Sequence, residues 1–174
     1  MIEIAKAFAS LKGQNKKTIV IIAFSAEEMG LIGSEFYCQN PVYPLNQTVF
    51  MLNMDMISRY SNNGNVGCLG AGNSAQLKQA AEAAKGSLRV NITSSAGGGS
   101  DQASFARKGI PAVFMHTGTH ADYHTPDDIA SKVDYNGLTE ISRFVFHMCW
   151  NVDKQTGKPQ LYNSYVPTPF KDHE

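Results

Sequence analysis

The sequence lacks an excess of charge of either sign. Its 174 residues contain 15 Lys and Arg against 15 Asp and Glu, which gives a formal net charge of +0 at pH 7. Nucleic-acid-binding proteins usually carry a basic patch or stripe, and its absence excludes nucleic acid from the expected partners. No apolar run approaches the length of about 20 residues that a membrane-spanning helix needs, so we expect no membrane partner either.

The sequence also has few cysteines and no pattern of a secretion signal. Its three cysteines, Cys38, Cys68 and Cys149, are scattered and show neither the CxxC spacing of a metal site nor a disulfide framework. They are most simply buried thiols, with a single disulfide as the open alternative. Glu3 and Lys6 interrupt the first apolar stretch, which therefore does not resemble the hydrophobic region of a signal peptide.

What is present is the composition of one folded domain with alternating strands and helices. Hydrophobic residues make up 43% of the chain and charged residues 17%, which is enough apolar material for a core. Helical spacing of apolar residues predicts helices, and short β-branched runs bounded by turn residues predict buried strands. The predicted helices are residues 1–11, 30–39, 74–85, 102–108 and 136–153, and the predicted strands are residues 18–24, 48–55, 65–69, 88–92 and 110–115.

This order of elements predicts a three-layer α/β fold with a largely parallel central sheet. The strand at 18–24, the helix after it and the strand at 48–55 form a βαβ unit, whose two strands should run parallel. The folded domain should cover residues 1–154. A C-terminal tail, residues 155–174, contains prolines and no clear element of secondary structure.

Acidic residues and one histidine follow three of the predicted strands, at the point where each strand ends. Glu27 and Glu28 come after the first strand, Asp55 ends the second, and His124 lies in the loop after 110–115. Because the carboxyl ends of parallel strands line one edge of a sheet, these four side chains should converge. Oxygen and nitrogen donors without thiolate suit zinc, and also manganese or cobalt. The pattern therefore predicts a metal site in which one glutamate binds the ion and its neighbour accepts a proton from water.

Each of these residues has a simpler interpretation when it is taken alone. The Glu27–Glu28 pair could mark the N-terminus of a helix, where acidic side chains meet the positive end of the macrodipole. Asp55 could cap a helix or form a turn, and His124 could be a surface histidine. Their placement after three separate buried strands is what favours the metal site.

Three blocks of the sequence resemble the zinc aminopeptidases of Peptidase family M28, which are co-catalytic dizinc exopeptidases. The blocks are "FSAEEMGLIGS" (24–34), "LNMDMI" (52–57) and "GGSDQASFARKGIPAVFMHTGTHADYHTPDD" (98–128), and they come in the family's order. The resemblance implies the phosphorylase/hydrolase-like zinc peptidase fold, lacking its N-terminal strands. It also implies a metal-dependent aminopeptidase that releases N-terminal residues from peptides, and a secreted or periplasmic location.

The resemblance assigns a role to each matching residue. Glu27 matches the general base. Glu28 and His124 match the terminal ligands of one zinc ion, and Asp55 matches a ligand of the other. Tyr123 matches a tyrosine that in some members donates a hydrogen bond to the carbonyl oxygen of the substrate, and the alternative is an aromatic side chain that packs under the loop.

Two further residues are candidates for substrate binding. Asp101 stands in a Ser-Asp-Gln sequence where many members have Ser-Asp-His, and it keeps a role facing the substrate or supporting a ligand. His120 is close enough to His124 in the sequence to contact the substrate or to substitute for a ligand. The simpler interpretation is that His120 packs within the loop, and the same alternatives hold, less favourably, for His116.

The chain departs from the family in the ligands that it lacks. The family's His-x-Asp motif and its bridging aspartate belong before the helix that residues 1–11 resemble, and neither is present. A catalytic zinc ion takes about three protein ligands plus water, so we expect this chain to bind zinc weakly, at most once, and with impaired activity. The missing strands should also leave an exposed sheet edge, through which the chain would self-associate or pair with a missing fragment.

Two other functions stay open. A partial or degenerate peptidase domain would serve as a non-catalytic interaction module, which the missing ligands favour. A glutaminyl-cyclase-like acyl transferase on the same fold works with one zinc ion. Such sites tend to use tryptophans around the substrate, and the single tryptophan here is Trp150, on the last predicted helix.

Overall fold

The computed structural model of the protein describes residues 1–164, and the structural statements below refer to that part of the chain. Its α-helices are α1 (Ile2–Ser10), α2 (Ile32–Gln39), α3 (Tyr60–Asn63), α4 (Ala75–Ala84), α5 (Gln102–Arg107) and α6 (Tyr135–Lys154). Its strands are β1 (Met51–Met54), β2 (Val66–Leu69), β3 (Val90–Thr93) and β4 (Ala112–His116). Short 3-10 turns lie at Leu45–Gln47, Ala71–Asn73 and Ala130–Lys132. All the predicted helices are present, and so are all the predicted strands except the first.

The strands form one sheet in the order β1–β4–β2–β3. β1 runs parallel to β4 and β2 runs parallel to β3, whereas β2 and β4 are antiparallel. The register pairs Leu52 with Val113 and Cys68 with Met115. The predicted largely parallel sheet is therefore confirmed, with one antiparallel junction in its middle.

Two apolar clusters, one on each face of β4, place helices on both sides of the sheet. Val113 and Met115 point into the main core, which side chains of α1, α4 and α6 complete. Ala112 points the other way, into a smaller cluster with Cys38 of α2 and Phe105 of α5. Because successive side chains of a strand alternate between its two faces, these clusters define the outer layers of the predicted three-layer fold.

The longest helix, α6, closes the main core and anchors the N-terminal part of the chain. Ile141 and Met148 lie on its apolar face and are completely buried. Near its C-terminus the buried carboxylate of Asp153 accepts backbone hydrogen bonds from Lys16 and Lys17, at 2.8 to 2.9 Å. Charge-assisted bonds of this kind are strong, so α6 fixes the point at which the chain enters residues 18–24.

The predicted strand at 18–24 is wrong. The segment is extended, but none of its backbone groups bonds to another backbone group of the described residues, and Val20 and Ile21 are 44% and 42% exposed. A β-branched run becomes a strand only where a neighbour completes the hydrogen-bond ladder, and no described strand lies beside this one. The predicted βαβ unit of this segment, α2 and residues 48–55 therefore lacks its first strand.

A groove of about 470 Å³ lies between this segment and β1. Residues 17–22 line one side of it and residues 47–54 line the other. Phe8 and Val152 line it from one helical layer, and Tyr37 and Phe105 line it from the other. The groove therefore lies in the layer of the sheet, and β1, as an edge strand, presents an unpaired backbone edge to it.

The cysteines are free thiols, as predicted. Cys38 and Cys68 are buried. Burial raises the pKa of Cys38 to about 11 and the pKa of Cys68 to about 12. Both thiols are therefore protonated at neutral pH, which makes them poor nucleophiles and poor metal ligands.

The described part of the predicted tail, residues 155–164, contains no helix or strand and packs beside the start of α4. The N–H of Tyr162 donates to the carbonyl oxygen of Asn73 at 2.8 Å, and the N–H of Asn163 donates to Oδ1 of Asn73 at 3.1 Å. The rest of that tail, residues 165–174, lies outside the described residues, and the domain boundary at residue 154 stays a prediction. In residues 1–164 no helix is long and apolar enough to cross a membrane.

We expect the backbone amides of residues 18–24 to exchange with solvent much faster than those of β4. The former have no backbone partner, whereas β4 is paired on both sides and buried. Hydrogen–deuterium exchange with mass spectrometry measures both segments in one experiment, with α6 as the internal standard for slow exchange. Protection of residues 18–24 equal to that of β4 would contradict the unpaired state of this segment.

Candidate metal centre

The candidate residues lie on loops at one end of the sheet. Asp55 directly follows β1, and its N–H donates to the carbonyl oxygen of Met115 at 3.2 Å, which extends the pairing of β1 with β4. The loop that carries His124 begins directly after β4. Since β1 and β4 are parallel, Asp55 and the start of this loop leave the sheet side by side.

Glu27 and Glu28 lie in a tight turn between residue 24 and α2. The N–H of Gly33, in the first turn of α2, donates to the carbonyl oxygen of Ser25 at 3.1 Å. A Cβ atom on Gly33 would lie 2.4 Å from that oxygen, so only glycine lets α2 approach the turn this closely. Gly33, the second glycine of the "GLIGS" sequence, therefore helps to determine where the two glutamates lie.

Glu28 and His124, which are far apart in the sequence, are in direct contact. Nε2 of His124 lies 3.0 Å from Oε1 of Glu28, and both side chains are exposed. The ring of Tyr123 stacks on the ring of His124 with the two centroids 3.9 Å apart. Burial raises the pKa of Tyr123, and the charges of Glu28, Glu27 and Asp55 raise it further, so its hydroxyl stays a hydrogen-bond donor. The structure thus brings the predicted ligand pair and the predicted tyrosine together.

Asp55 is oriented by a residue that the sequence analysis did not single out. Oγ of the buried Ser100 donates to Oδ2 of Asp55 at 2.9 Å and accepts from Nδ2 of Asn53 at 2.8 Å. The sequence feature that could have indicated this role is the position of Ser100, which is the first residue of the Ser-Asp-Gln sequence. Gln102, at the third position of that sequence, is buried and bonds to Asn53 at 3.0 Å and to the backbone of Ala96 at 3.1 Å, so its role is structural.

The pKa of Glu27 is raised by its partial burial and, to a smaller extent, by the acidic side chains around it. Burial raises its pKa from 4.5 to about 7, with further contributions from the charges of Glu28, Asp55 and Asp101, and His124 opposes the shift. A carboxyl group with a pKa near neutrality can both accept and release a proton at physiological pH, as a general base must. The same shift shows that the predicted groups are close enough to act on one another electrostatically.

Asp101 is the most buried acid of this cluster. Burial raises its pKa, the Ser34 hydroxyl opposes this, and the charge of Asp55 adds to it. Its Oδ1 has no hydrogen-bond partner among the described residues. A buried carboxylate oxygen without a partner costs free energy, but a ligand can reach this one only when the residues that cover it move. The substrate-binding role expected of Asp101 stays a prediction.

The two other histidines of this region lie against groups other than the candidate ligands, although Nδ1 of His120 has no hydrogen-bond partner among the described residues. The side chain of His120 is buried, with Nε2 3.8 Å from Asp128 and Nδ1 4.0 Å from Asp122. His116 stacks on the ring of Phe114, and burial lowers its pKa. His120 therefore packs within the loop, as the simpler interpretation has it, and its contact with substrate stays a prediction.

Backbone strain is concentrated at the same loops. Among the described residues other than glycine, only Ala26, Leu31, Met56 and His124 have left-handed φ angles, between 55° and 61°. Ala26 and Leu31 flank the turn of the two glutamates, and Met56 follows Asp55. This conformation costs roughly 1–2 kcal/mol per residue, and it persists mainly where the surrounding structure imposes it, often at functional sites. The strain therefore marks this region independently of its charges.

The donors present suit zinc in kind but fall short in number. The carboxylates of Glu28 and Asp55 and the imidazole of His124 are all common zinc ligands. Within residues 1–164, however, no three His, Cys, Asp or Glu side chains converge closely enough to hold a metal ion. Glu28 and His124 meet each other, whereas Asp55 bonds to Ser100. A site built from the touching pair alone has two protein ligands, fewer than the about three of a catalytic zinc site.

The fold is shared with solved aminopeptidase structures of low sequence identity. The Legionella pneumophila LapA aminopeptidase matches with a TM-score of 0.71 and 22% identity, over 88% of this chain and 44% of that one. The aminopeptidase from Aneurinibacillus sp. strain AM-1 matches with a TM-score of 0.64 and 24% identity, over 83% and 35%. BSAP, a zinc aminopeptidase from Bacillus subtilis, matches with a TM-score of 0.65 and 23% identity, over 78% and 36%. The chain thus has a zinc aminopeptidase fold and spans less than half the length of these three proteins.

A comparison of the sequence with protein-family profiles identifies the family of this chain. The profile of Peptidase family M28 matches residues 1–149, which is most of the chain. The chain belongs to Peptidase family M28. A comparison with curated protein sequences gave no match. The family and the fold are therefore confirmed, whereas the peptidase activity of this chain, its zinc and the role of each site residue stay predictions.

We expect the metal-free chain to lose stability through Glu27 as the pH rises. The pKa of Glu27 in the folded state, about 7, lies above the ordinary value of 4.5, so the folded state holds this proton more tightly. The contribution is complete below the ordinary pKa and is lost as the pH rises through about 7. Glu27→Gln removes the penalty of ionisation, so its Tm relative to the wild type should be higher at about pH 8 than at about pH 5.

Thermal unfolding followed by circular dichroism in the presence of a chelator measures this difference. Glu35→Gln is the control, because a hydrogen bond from Gln39 lowers the pKa of Glu35 below the ordinary 4.5. The contribution of Glu35 is therefore present at both pH values, and the Tm difference between this variant and the wild type should be about the same at each. A Glu27→Gln variant whose Tm differs from that of the wild type by the same amount at both pH values would contradict the prediction.

Proposed function

We propose that the chain contributes the catalytic site of a metal-dependent aminopeptidase, which releases N-terminal residues from peptides. The observation that carries the proposal is the contact of Glu28 with His124 at 3.0 Å, beside Glu27 with its pKa raised to about 7. A carboxylate–imidazole pair is a partial zinc ligand set, and the neighbouring carboxyl group is a proton acceptor suited to neutral pH.

Each residue of the site has a defined task in this proposal. A zinc ion, when bound, would polarise the scissile carbonyl group and lower the pKa of a water molecule towards neutrality. Glu28 and His124 would hold that ion, and Asp55 would serve a second one. Glu27 would take the proton from the attacking water and pass it to the leaving amine. The hydroxyl of Tyr123 would donate a hydrogen bond to the oxygen on which negative charge develops.

The acidic cluster favours a substrate with a free amino terminus. Glu27, Glu28, Asp55 and Asp101 concentrate negative charge in a small volume, which a protonated amine offsets. The unpartnered Oδ1 of Asp101 would accept a hydrogen bond from that amine. His120 would reach the substrate only by leaving its buried place beside Asp122, so Asp101 is the better supported of the two substrate-binding candidates.

The small number of metal-binding side chains supports the expectation that this chain, by itself, has impaired activity. A site with two touching donors would hold zinc weakly and at most once. The same observation favours a second candidate function, a non-catalytic peptidase-like domain that acts as an interaction module. The number of metal ions per chain, measured by elemental analysis, separates the two functions.

A glutaminyl-cyclase-like acyl transferase is less well supported. The single tryptophan, Trp150, packs against Phe146 and Phe8, and the ammonium group of Lys154 lies 3.8 Å from the centre of its ring. These partners belong to α1 and α6, so the indole packs within that helical layer and not beside the acidic cluster.

We expect Glu27→Gln to abolish peptide hydrolysis while leaving metal binding intact. Glutamine has the same shape but cannot take a proton from water, and loss of a general base typically lowers turnover by about 10²–10⁴-fold. Turnover of a peptide with a free N-terminus, and zinc content by elemental analysis, measure the two effects in the protein at its natural length.

Glu35→Gln on α2 is the matched control and should change neither quantity. Turnover that survives Glu27→Gln would contradict the assignment of the base. Loss of zinc together with turnover would instead make Glu27 a ligand.

We also propose that the chain self-associates through the groove between residues 18–24 and β1. The backbone edges that face the groove lack a strand partner among the described residues, and such edges recruit strands from other chains. The wild-type chain should therefore run as a dimer or a larger species in light scattering coupled to size exclusion.

Val20→Lys should shift this distribution towards the monomer, because a charge on a strand edge opposes pairing. The control is Ile129→Lys, at an exposed residue outside the lining of the groove, which should have no effect. A wild-type chain that is already monomeric would contradict the proposal.

A further inference from the structure

The loop between β4 and α6, which we call the histidine loop (residues 117–134), is tied at both ends to the segment that follows β1. Thr117 donates to the carbonyl oxygen of Met56 through both its N–H, at 3.0 Å, and its hydroxyl, at 2.6 Å. At the other end the N–H of Asp134 donates to the carbonyl oxygen of Ser58 at 2.9 Å. These backbone contacts fix where the loop begins and ends but not the course of its middle.

The buried side chain of Arg59 connects two aspartates in the middle of the histidine loop. The side chain of Arg59 is 7% exposed, and its Nη2 lies 3.3 Å from Oδ2 of Asp122 and bonds to Oδ1 of Asp128. Asp122 comes before His124 in the sequence and Asp128 comes after it, so the guanidinium group bridges the two flanks of the proposed ligand. Nζ of Lys132 holds the other oxygen of Asp122 at 2.6 Å.

The surroundings of Arg59 make this bridge costly to break. The buried ring of His120 lies against both carboxylates, and Nε of Arg59 has no partner among the described residues. A guanidinium group in such a place is stable only while its carboxylate partners stay, because a buried charge without a partner is strongly unfavourable. Any shift of the middle of the loop would separate these charges.

His124 does not hold the loop in place by its own contacts. Its side chain is 55% exposed, and its polar contact is the exposed carboxylate of Glu28. An exposed contact of this kind contributes little stability, and the φ of His124, 56°, is a strained conformation that needs support from the structure around it. The support that flanks His124 on both sides is the Arg59 bridge.

We propose that Arg59 is a positioning residue, which clamps the histidine loop through Asp122 and Asp128 and thereby sets His124 against Glu28. It acts through the loop, without a contact to the proposed metal or substrate. The inference rests on the proposed function, because it takes His124 as a metal ligand. Loss of an outer contact that orients a ligand typically lowers metal affinity by about 10- to 100-fold.

Three variants of the 174-residue chain test the clamp. Arg59→Met removes the charge and the fork of donors, and Arg59→Lys keeps the charge without the fork. Asp128→Asn changes a carboxylate that is 46% exposed, so this variant keeps the test valid if Arg59→Met does not fold. The matched control is Arg143→Met, which removes an exposed arginine paired with Glu140 on α6.

The first measurement is hydrogen–deuterium exchange of the metal-free chain. We expect exchange of residues 117–134 to become about tenfold faster or more in Arg59→Met and Asp128→Asn, with partial recovery in Arg59→Lys and no change in Arg143→Met. β2 and β4 should keep their protection in all variants. Unchanged exchange in the histidine loop, or an equal increase along the whole chain, would overturn the clamp.

The second measurement is the affinity for Co²⁺, by competition with a chromophoric chelator. The affinity should fall about tenfold or more in Arg59→Met and Asp128→Asn and recover in part in Arg59→Lys. Equal affinity in all variants would overturn the positioning role. If His124→Ala binds Co²⁺ as the wild type does, or if the wild type does not bind it, the proposed function fails, while the exchange measurement still decides whether Arg59 clamps the loop.

Discussion

Parallel hydrogen bonding between β1 and β4 is the constraint on which the site depends. The register places Met54 beside Met115, and the bond from Asp55 to Met115 carries the pairing to the last residue before the loops. Two segments that are distant in the sequence therefore leave the sheet together. Ser100 then orients Asp55, and Arg59 binds two aspartates of the histidine loop. These side-chain contacts refine the geometry that the backbone imposes.

The charges around Glu27 favour a bound cation at this site. The chain as a whole is neutral, yet Glu27 stands among three other carboxylates and a single opposing histidine. Such a cluster in a partly buried place either holds a proton or recruits a cation. One protein that shares the fold, BSAP, is a zinc aminopeptidase, and the donors Glu28 and His124 are of the kind that zinc prefers.

The sequence predicted those features that depend on local pattern. Helical periodicity located α1 and α6, and short apolar runs located β1 and β4, because burial selects these patterns directly. The same rule failed at residues 18–24, since β-branched side chains favour a strand but cannot supply its neighbour. The sequence motifs identified Glu27, Glu28, Asp55 and His124 as site residues. The contacts of Ser100 and Arg59 could not be predicted in this way, because the fold alone brings their partners together.

The groove beside β1 has a mechanical consequence for the chemistry. Glu27 and Glu28 follow the segment on one side of it, and Asp55 follows the strand on the other. The distance between Glu27 and Asp55 therefore depends on the width of the groove as well as on the turn at Gly33. Under the proposed self-association, a second chain that pairs in this groove would also change the spacing of the acidic side chains.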